Sequence, residues 1–239
     1  MPRTPRPMTP AQKRATTAPA SPRRAAIIAI AITVALVAAL AAIIVTTLNR
    51  PAPLALTAQA PTGELVTAET NRLSDPAEPA VTVVEFVDFE CPACGDWHPV
   101  VSDLVASYGD RVEFAYRHLP LPVHGNAIAA ALALEGAAAQ DEATAMYDLL
   151  YDTQAEWGGQ AADSQAGTFR GYAEQLGLDL DAYDAVVADP ATLDRVSTDA
   201  ADAGALGIRS TPTFVIDGEV VTLSSYDELE SRIAAALGE

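Results

Sequence analysis

The most informative stretch of the chain reads Glu85-Phe86-Val87-Asp88-Phe89-Glu90-Cys91-Pro92-Ala93-Cys94, and it holds the only two cysteines. A short apolar run leads into a C-x-x-C spacing, which in a helix would set the two Cα atoms about 5 Å apart, within the range that a disulfide accepts. If Cys91 begins a helix, its sulfur lies beside unpaired backbone N–H groups and the positive end of the helix dipole. Both favour the nucleophilic thiolate, so the stretch predicts a redox-active cysteine pair.

The two residues between the cysteines fit this chemistry and are expected to tune it. Pro92 has a φ angle suited to the first helical position, Ala93 is small, and neither side chain can ligate a metal. Two other uses of the cysteines remain open, an inert structural disulfide and half of a zinc site. A closed zinc site needs four ligands, and the remaining ones would have to come from His98, His118, His124 or carboxylates.

Charge is distributed very unevenly along the 239 residues, which carry a formal net charge of −18. Six of the 14 basic residues precede residue 25, whereas all 32 acidic residues follow residue 63. From residue 51 onward, only seven arginines oppose these acidic residues. Such a body repels the phosphates of nucleic acids, so nucleic acid is excluded as a partner, and the charge is expected to keep the domain soluble.

An uncharged apolar segment, Ala25–Leu48, predicts a single transmembrane anchor. As a helix it would be roughly 36 Å long, enough to cross the hydrocarbon core with some tilt. Arg23 and Arg24 precede it, which predicts a cytoplasmic N-terminus and an acidic domain outside the cell membrane. The alternative is a signal peptide cleaved near Ala58-Gln59-Ala60, although the apolar run is longer than a usual signal core. No cysteine follows the run where a lipoprotein would need one, and in either case the domain reaches a compartment where disulfides persist.

Composition divides the rest of the chain into three parts. Residues 1–24 are rich in Pro, Thr and Arg and are predicted to be a disordered cytoplasmic tail. Residues 49–80 contain five prolines and few large apolar side chains, which predicts a semi-extended linker with at most a short strand at Glu64–Thr67. The folded domain is expected at 81–239.

Within 81–239 the hydrophobic pattern indicates strands separated by a long helical stretch. The predicted strands are Val81–Phe89, Val112–His118, Thr213–Ile216 and Glu219–Leu223, the last two joined by an Asp217-Gly218 hairpin turn. The predicted helices are Pro92–Tyr108, kinked at Pro99, then Asn126–Ala138, Glu142–Thr153, Gln165–Leu176, Leu180–Ala188 and Ala191–Leu206, and a last helix that begins with the capping box Ser225-x-x-Glu228. A helical block at about 126–206 thus separates two strand-containing parts, which predicts an α/β fold.

Residues 80–239, about two thirds of the chain, resemble thioredoxin-fold disulfide oxidoreductases of the DsbA-like group. The resemblance rests on Glu85 six residues before the first cysteine, on the Cys91-to-Cys94 motif, on Thr211-Pro212-Thr213 before a hairpin strand, and on the intervening helical block. It implies a thioredoxin fold, with a mixed parallel and antiparallel central sheet and an inserted helical domain, here preceded by one transmembrane helix. The group usually carries His where this chain has Ala93, a difference that bears on redox potential.

The resemblance also implies the roles of the catalytic residues. Cys91 would be the attacking and leaving sulfur and the more exposed cysteine, whereas Cys94 would be buried and keep a higher pKa. Glu85 matches the group's buried acid, whose raised pKa lets it move protons to or from Cys94. Asp88 and Glu90 are expected to be solvated and to oppose the Cys91 thiolate mildly.

The Thr211-Pro212 pair is the implied substrate-binding element. In the DsbA-like group this proline is cis and faces the cysteine motif, which turns the backbone of Thr211 toward an extended substrate strand. Other polar residues are expected to have no catalytic role. His98 is predicted to lie on the surface, and Asp199 and Asp202 on a solvated helix face.

Together these features predict an extracytoplasmic, membrane-anchored thiol–disulfide oxidoreductase. It would oxidise cysteine pairs in reduced or unfolded exported proteins and, as the resemblance implies, would be reoxidised by a quinone-linked membrane oxidase. No metal or cofactor is expected beyond the redox-active pair itself. Two alternatives remain, a reductase or isomerase with the same fold, and a non-catalytic module that binds a partner or a copper ion.

Overall fold

The computed structural model describes residues 22–48, 54–59, 62–161 and 165–239. The chain divides into two compact units between residues 52 and 53. In the first unit, helix α1 spans Pro22–Leu48. Its stretch Ala26–Val45 has a mean hydropathy of 3.0 and is long and apolar enough to cross a membrane, a test that a signal sequence also passes. Residues 1–21 of the predicted tail lie outside the described residues.

The second unit contains a five-stranded sheet with the order β1-β3-β2-β4-β5. Its strands are β1 (Asn71–Ser74), β2 (Val81–Val87), β3 (Val112–His118), β4 (Thr213–Ile216) and β5 (Glu219–Val221). The two central strands β2 and β3 are parallel, and every other pair is antiparallel. Because β2 is covered on both faces, its sequence is almost continuously apolar. The mixed α/β sheet agrees with the prediction.

Eight helices of this unit pack around the sheet within the described residues. They are α2 (Pro92–Tyr108), α3 (Ala127–Ala138), α4 (Ala143–Asp152), α5 (Gln154–Trp157), α6 (Ala166–Gln175), α7 (Leu180–Ala188), α8 (Pro190–Ala205) and α9 (Tyr226–Leu237). One core cluster joins α2 and α9 to the sheet through Leu104, Phe114 and Leu229. Another joins the helical block to the ends of β2 and β3, and both cysteines belong to it. The cysteine pair therefore lies where the sheet meets the inserted helices.

Most element bounds agree with the sequence pattern to within two residues, but two local details differ. Helix α2 contains Pro99 and has the predicted bounds. The short helix α5 was not predicted. At the start of α9 the Ser225 side chain makes no capping hydrogen bond, and Glu228 instead accepts from Ser224 N at 2.9 Å and Ser224 Oγ at 2.7 Å.

The predicted linker at 49–80 differs from the structure over its described part, which packs on the domain. Strand β1 pairs with β3, with Asn71 opposite Tyr116, whereas no strand forms at Glu64–Thr67. Thr57 N donates to Ser197 Oγ at 2.9 Å, and Leu56 joins a core cluster of the helical block. These partners lie 45 to 140 residues away in sequence, so local composition carried no signal for them.

Two aspartates of α8 were predicted to be solvated, and the structure shows that prediction to be wrong. Asp199 and Asp202 are both buried. Arg117, on β3, donates from Nε to Asp199 Oδ1 at 2.8 Å and from Nη2 to Asp202 Oδ2 at 2.7 Å. Burial opposes ionisation of Asp202, but hydrogen bonds from Gly63, Thr62 and Arg117 outweigh it and lower its pKa. The charges are buried because a cation from another element faces them.

Candidate active site

Cys91 is the N-cap of α2, and Pro92 occupies the first helical position. Cys91 N donates to Asp88 O at 3.0 Å, and Gly95 N donates to Cys91 O at 3.2 Å. These hydrogen bonds hold the backbone of Cys91 to the preceding turn and to the first turn of α2. The two thiols are not linked by a disulfide. Cys91 is 7% exposed and Cys94 1%, which is the predicted order, although Cys91 is itself largely covered.

The environment separates the pKa values of the two cysteines. The pKa of Cys91 is lowered to about 5, chiefly by a hydrogen bond from the Cys94 thiol. Burial opposes this shift, whereas the Thr211 hydroxyl and the backbone N–H groups of Cys94 and Ala93 reinforce it. Burial raises the pKa of Cys94 well above its usual value. Under neutral conditions, therefore, Cys91 is a thiolate and Cys94 a thiol.

Glu85 lies on β2 and is only 4% exposed. Burial raises its pKa to about 8, and the Tyr147 hydroxyl, which donates to Glu85 Oε2 at 3.4 Å, offsets part of this shift. The charge of Glu85 in turn contributes to the raised pKa of Cys94. The carboxyl group is therefore neutral at pH 7 and holds a proton that is electrostatically coupled to Cys94.

The Thr211–Pro212 peptide bond is cis, as predicted, and immediately precedes β4. Thr211 O lies 3.5 Å from Cys91 Sγ, where it can accept a hydrogen bond from the protonated thiol. The Thr211 hydroxyl is buried and has no other hydrogen-bond partner among the described residues, so it is available to the Cys91 sulfur. Thr211 and Cys91 are thus in contact although they lie 120 residues apart in sequence.

A groove of about 430 Å³ opens beside Pro212. Its lining includes Trp97 on α2, Arg209 before the cis bond, and Phe214 and Val220 on the hairpin. Trp97 packs on Phe214 with ring centroids 5.0 Å apart, which gives the groove a rigid apolar wall. The groove thus adjoins the cis Thr211–Pro212 pair.

Asp88 and Glu90 are buried, so the prediction that they are solvated was wrong. Asp88 Oδ1 accepts from Glu90 N at 2.8 Å, and Asp88 Oδ2 accepts from Leu121 N at 2.8 Å and contacts His124 Nδ1 at 2.7 Å. Burial raises the pKa of Asp88 against the effect of these bonds. Two of these partners, Leu121 and His124, lie on the loop after β3, and no local sequence pattern predicts that this loop packs against the turn.

Glu90 connects the same turn to the helical block. Its carboxylate accepts from Asn126 N at 2.5 Å and from Gly159 N at 3.0 Å. Gln154, on the unpredicted helix α5, adds two further bonds, because its Nε2 donates to Phe89 O at 2.7 Å and to Cys91 O at 2.9 Å. Sequence reasoning gave Gln154 no role, since nothing in its surroundings distinguishes it from a surface glutamine.

The three histidines bind carboxylates rather than one another. His98 Nε2 lies 2.9 Å from Asp148, in a half-buried position rather than on the open surface, and His118 Nε2 lies 2.7 Å from Glu135. His124 is held by Asp88, as described above. Throughout the described part of the chain, no group of three or more His, Cys, Asp or Glu side chains is arranged to hold a metal ion.

Known proteins match this chain in sequence and in structure. The family model described as Thioredoxin matches residues 76–235. The Na⁺/H⁺ antiporter NhaA 3 of Salinispora tropica is 40% identical over 154 residues, which are 64% of this chain and 22% of the antiporter. The chain thus spans about a fifth of the length of that relative.

Two solved structures illustrate the structural match. A thioredoxin-like oxidoreductase from Silicibacter pomeroyi has a TM-score of 0.60 at 25% identity, over 72% of this chain and 95% of that one. DsbA2 of Pseudomonas aeruginosa has a TM-score of 0.56 at 27% identity, over 71% of this chain and 96% of that one. The chain therefore belongs to the thioredoxin family, and its solved structural relatives are DsbA-like oxidoreductases.

Proposed function

We propose that the chain is a membrane-anchored thiol–disulfide oxidoreductase that oxidises cysteine pairs in exported proteins through Cys91 and Cys94. The observation that carries this proposal is the difference in pKa between the two thiols, since the pKa of Cys91 is lowered to about 5 and that of Cys94 is raised by burial. A stabilised Cys91 thiolate favours the reduced protein. The disulfide form is then a strong oxidant of substrate thiols.

The reaction begins from the Cys91–Cys94 disulfide. A substrate thiolate attacks Cys91 Sγ, a mixed disulfide forms, and the bond to Cys94 breaks with its electron pair on Cys94. Cys94 has a raised pKa and is a poor free thiolate, so Glu85, which is neutral at pH 7, gives it a proton and is reprotonated from solvent.

The second half of the reaction releases the oxidised substrate. The second substrate thiolate attacks the substrate sulfur of the mixed disulfide and forms the substrate disulfide, and Cys91 departs as the stabilised thiolate. Two electrons have then moved from the substrate to the cysteine pair. The two substrate thiols have given their protons to solvent.

Substrate binding is assigned to the backbone around Thr211 and Pro212 and to the adjoining groove. Thr211 O contacts Cys91 Sγ, so a chain lying along this segment would bring its own sulfur to Cys91. Pro92 and Ala93 are exposed beside Cys91, where they would contact the substrate and tune the cysteine pair. Part of the wall of the groove is apolar, which suits unfolded polypeptide.

The proposed location is the extracytoplasmic face of the cell membrane. Helix α1 supplies a candidate span, and the arginines before it favour a cytoplasmic N-terminus. A quinone-linked oxidase in the same membrane would reoxidise the pair, because a shared membrane raises the effective concentration of two anchored partners. The redox-active cysteines would need no other cofactor.

The reduction potential of the pair tests the direction of electron flow. The full-length chain in detergent micelles would be equilibrated with glutathione buffers of graded ratio, and the fraction of disulfide measured by thiol alkylation. A potential of about −120 mV supports an oxidase, whereas one of about −270 mV would identify a reductase instead. A pair that fails to oxidise a reduced, unfolded substrate protein at either potential would indicate a non-catalytic binding module.

A further inference from the structure

His124 lies on the loop between β3 and α3 and is the one histidine held against the turn that precedes Cys91. Its Nδ1 is 2.7 Å from Asp88 Oδ2, and the Asp88 side chain is fully buried. Asp88 also accepts the Leu121 and Glu90 N–H groups, and its carbonyl accepts Cys91 N. The carboxylate therefore fixes the imidazole relative to the beginning of α2.

The charged groups that face His124 are all acidic. They are Asp88 and Glu90 on the turn after β2, and Cys91 at the start of α2. The loop that carries His124 contributes none, since the sequence from Leu119 to Leu134 contains no other ionisable side chain. Burial lowers the pKa of His124, but the hydrogen bond to Asp88 and these negative charges outweigh it and raise the value.

Glu90 and Asp88 already accept hydrogen bonds from other groups. Helix α2 contains no Lys or Arg that could pair with the Cys91 thiolate, and its histidine, His98, is bound to Asp148. Glu90 accepts from Asn126 N and Gly159 N. The two positions between the cysteines are occupied by Pro92 and Ala93, neither of which can carry charge. Asp88 links the two groups, because its carboxylate contacts His124 Nδ1 at 2.7 Å and its carbonyl accepts from Cys91 N at 3.0 Å. A cation on this neighbouring loop is thus placed to act on the thiolate.

We propose that His124, positioned by Asp88, supplies a positive charge that stabilises the Cys91 thiolate, and that this stabilisation disappears when the imidazole loses its proton as the pH rises. This inference rests on the proposed function, in which Cys91 is the leaving thiolate. The positive charge on His124 makes the disulfide form a stronger oxidant below the pH at which His124 titrates than above it. The reason is that the protonated imidazole favours the reduced state, whereas the neutral imidazole does not.

Reduction of the disulfide then involves His124 as well as the cysteines. Two electrons break the bond, Cys94 takes one proton, and Cys91 becomes a thiolate. The new negative charge raises the proton affinity of His124, so the imidazole takes up a further fraction of a proton from solvent. In the disulfide form Cys91 carries no charge, and His124 should titrate at a lower pH than in the dithiol form.

The direct test measures the ionisation of Cys91 by the ultraviolet absorbance of its thiolate, in the reduced full-length protein in detergent micelles. His124→Gln should raise the pKa of Cys91 by about half a pH unit, the size expected for one charge acting through partly solvated protein. The matched control is His98→Gln, since His98 is also half-buried and also bound to an aspartate, Asp148, at 2.9 Å. The control should leave the Cys91 pKa unchanged.

An unchanged Cys91 pKa in His124→Gln, or an equal change in His98→Gln, would overturn the inference. If His124→Gln does not fold, NMR titration of the wild-type protein decides instead, because the chain has only three histidines to assign. Equal His124 pKa values in the dithiol and disulfide forms would then overturn it. A wild-type Cys91 that ionises like an ordinary cysteine would instead contradict the proposed function, so the two failures are distinguishable.

Discussion

Replacing Glu85 by Gln should stabilise the reduced protein, even though it removes a proposed catalytic group. Glu85 is fully buried, and its pKa is raised from 4.5 to about 8. In the unfolded chain this carboxyl is ionised at pH 7, whereas in the folded protein it must hold a proton. The glutamine side chain carries no such requirement and can still accept the Tyr147 hydroxyl bond.

The size of the effect follows from the shift in pKa. Each pKa unit corresponds to about 1.4 kcal/mol, and at pH 7 about 2.5 units of the shift are expressed, so Glu85 costs about 3 kcal/mol of stability. The sign follows from the raised folded pKa of an acid. The cost is nearly absent below 4.5, grows as the pH rises toward 8, and is constant above that value.

The assay is urea unfolding of the wild type and of Glu85→Gln, both kept reduced in detergent micelles, at several values between pH 4.5 and 7. The free-energy difference in favour of the variant should grow by about 3 kcal/mol across this range. Glu135→Gln is the matched control, because Glu135 is also buried but is paired with His118 and Arg195, which lower its pKa despite burial. That variant should be destabilised by an amount that changes little between pH 4.5 and 7, because a carboxylate with a lowered pKa loses its stabilising effect mainly below its usual pKa of 4.5.

A difference for Glu85→Gln that does not depend on pH would refute the reasoning, because it would mean that the carboxyl is ionised in the folded protein. Parallel slopes for the two variants would refute it equally. In either case the proposed proton transfer from Glu85 to Cys94 would lose its basis.

Three further outcomes are expected. Cys94→Ser should accumulate mixed disulfides through Cys91, since the resolving thiol is missing. Mass spectrometry of this variant isolated from cells measures the adducts, and their absence would contradict the assigned roles. Arg117→Met should lower the free energy of unfolding by on the order of 3 kcal/mol, because two buried aspartates lose their cation, and an unchanged thermal midpoint would argue against a buried ion pair. In Gly95→Ala the added methyl would lie 2.6 Å from Gln154 Oε1, so this variant should be less stable than wild type. Adding Gln154→Ala should lower the free energy of unfolding little further. Unfolding of the two single variants and the double variant would measure this non-additivity.

Local chemistry was enough to predict the elements of the domain except β1 and α5. The hairpin turn at Asp217-Gly218 needs positive φ values, which are 47° and 84° in the structure, and aspartate and glycine tolerate them. The start of α2 followed from Pro92, and β2 from its apolar run, because these preferences act between neighbours in sequence. The resemblance then supplied the cis bond and the position of Glu85 beneath the cysteines.

Short-range patterns predicted most of the elements, because helix and strand preferences are set by residues a few positions apart. They could not determine the charge environment, because burying a charge depends on a partner brought from elsewhere in the fold. Asp88 is buried because His124 and Leu121 N face it, and Asp199 because Arg117 does. Strand β1 exists because β3 offers it an edge. The sequence by itself therefore identified the cysteine pair, and only the tertiary structure decided which groups surround it and hold its protons.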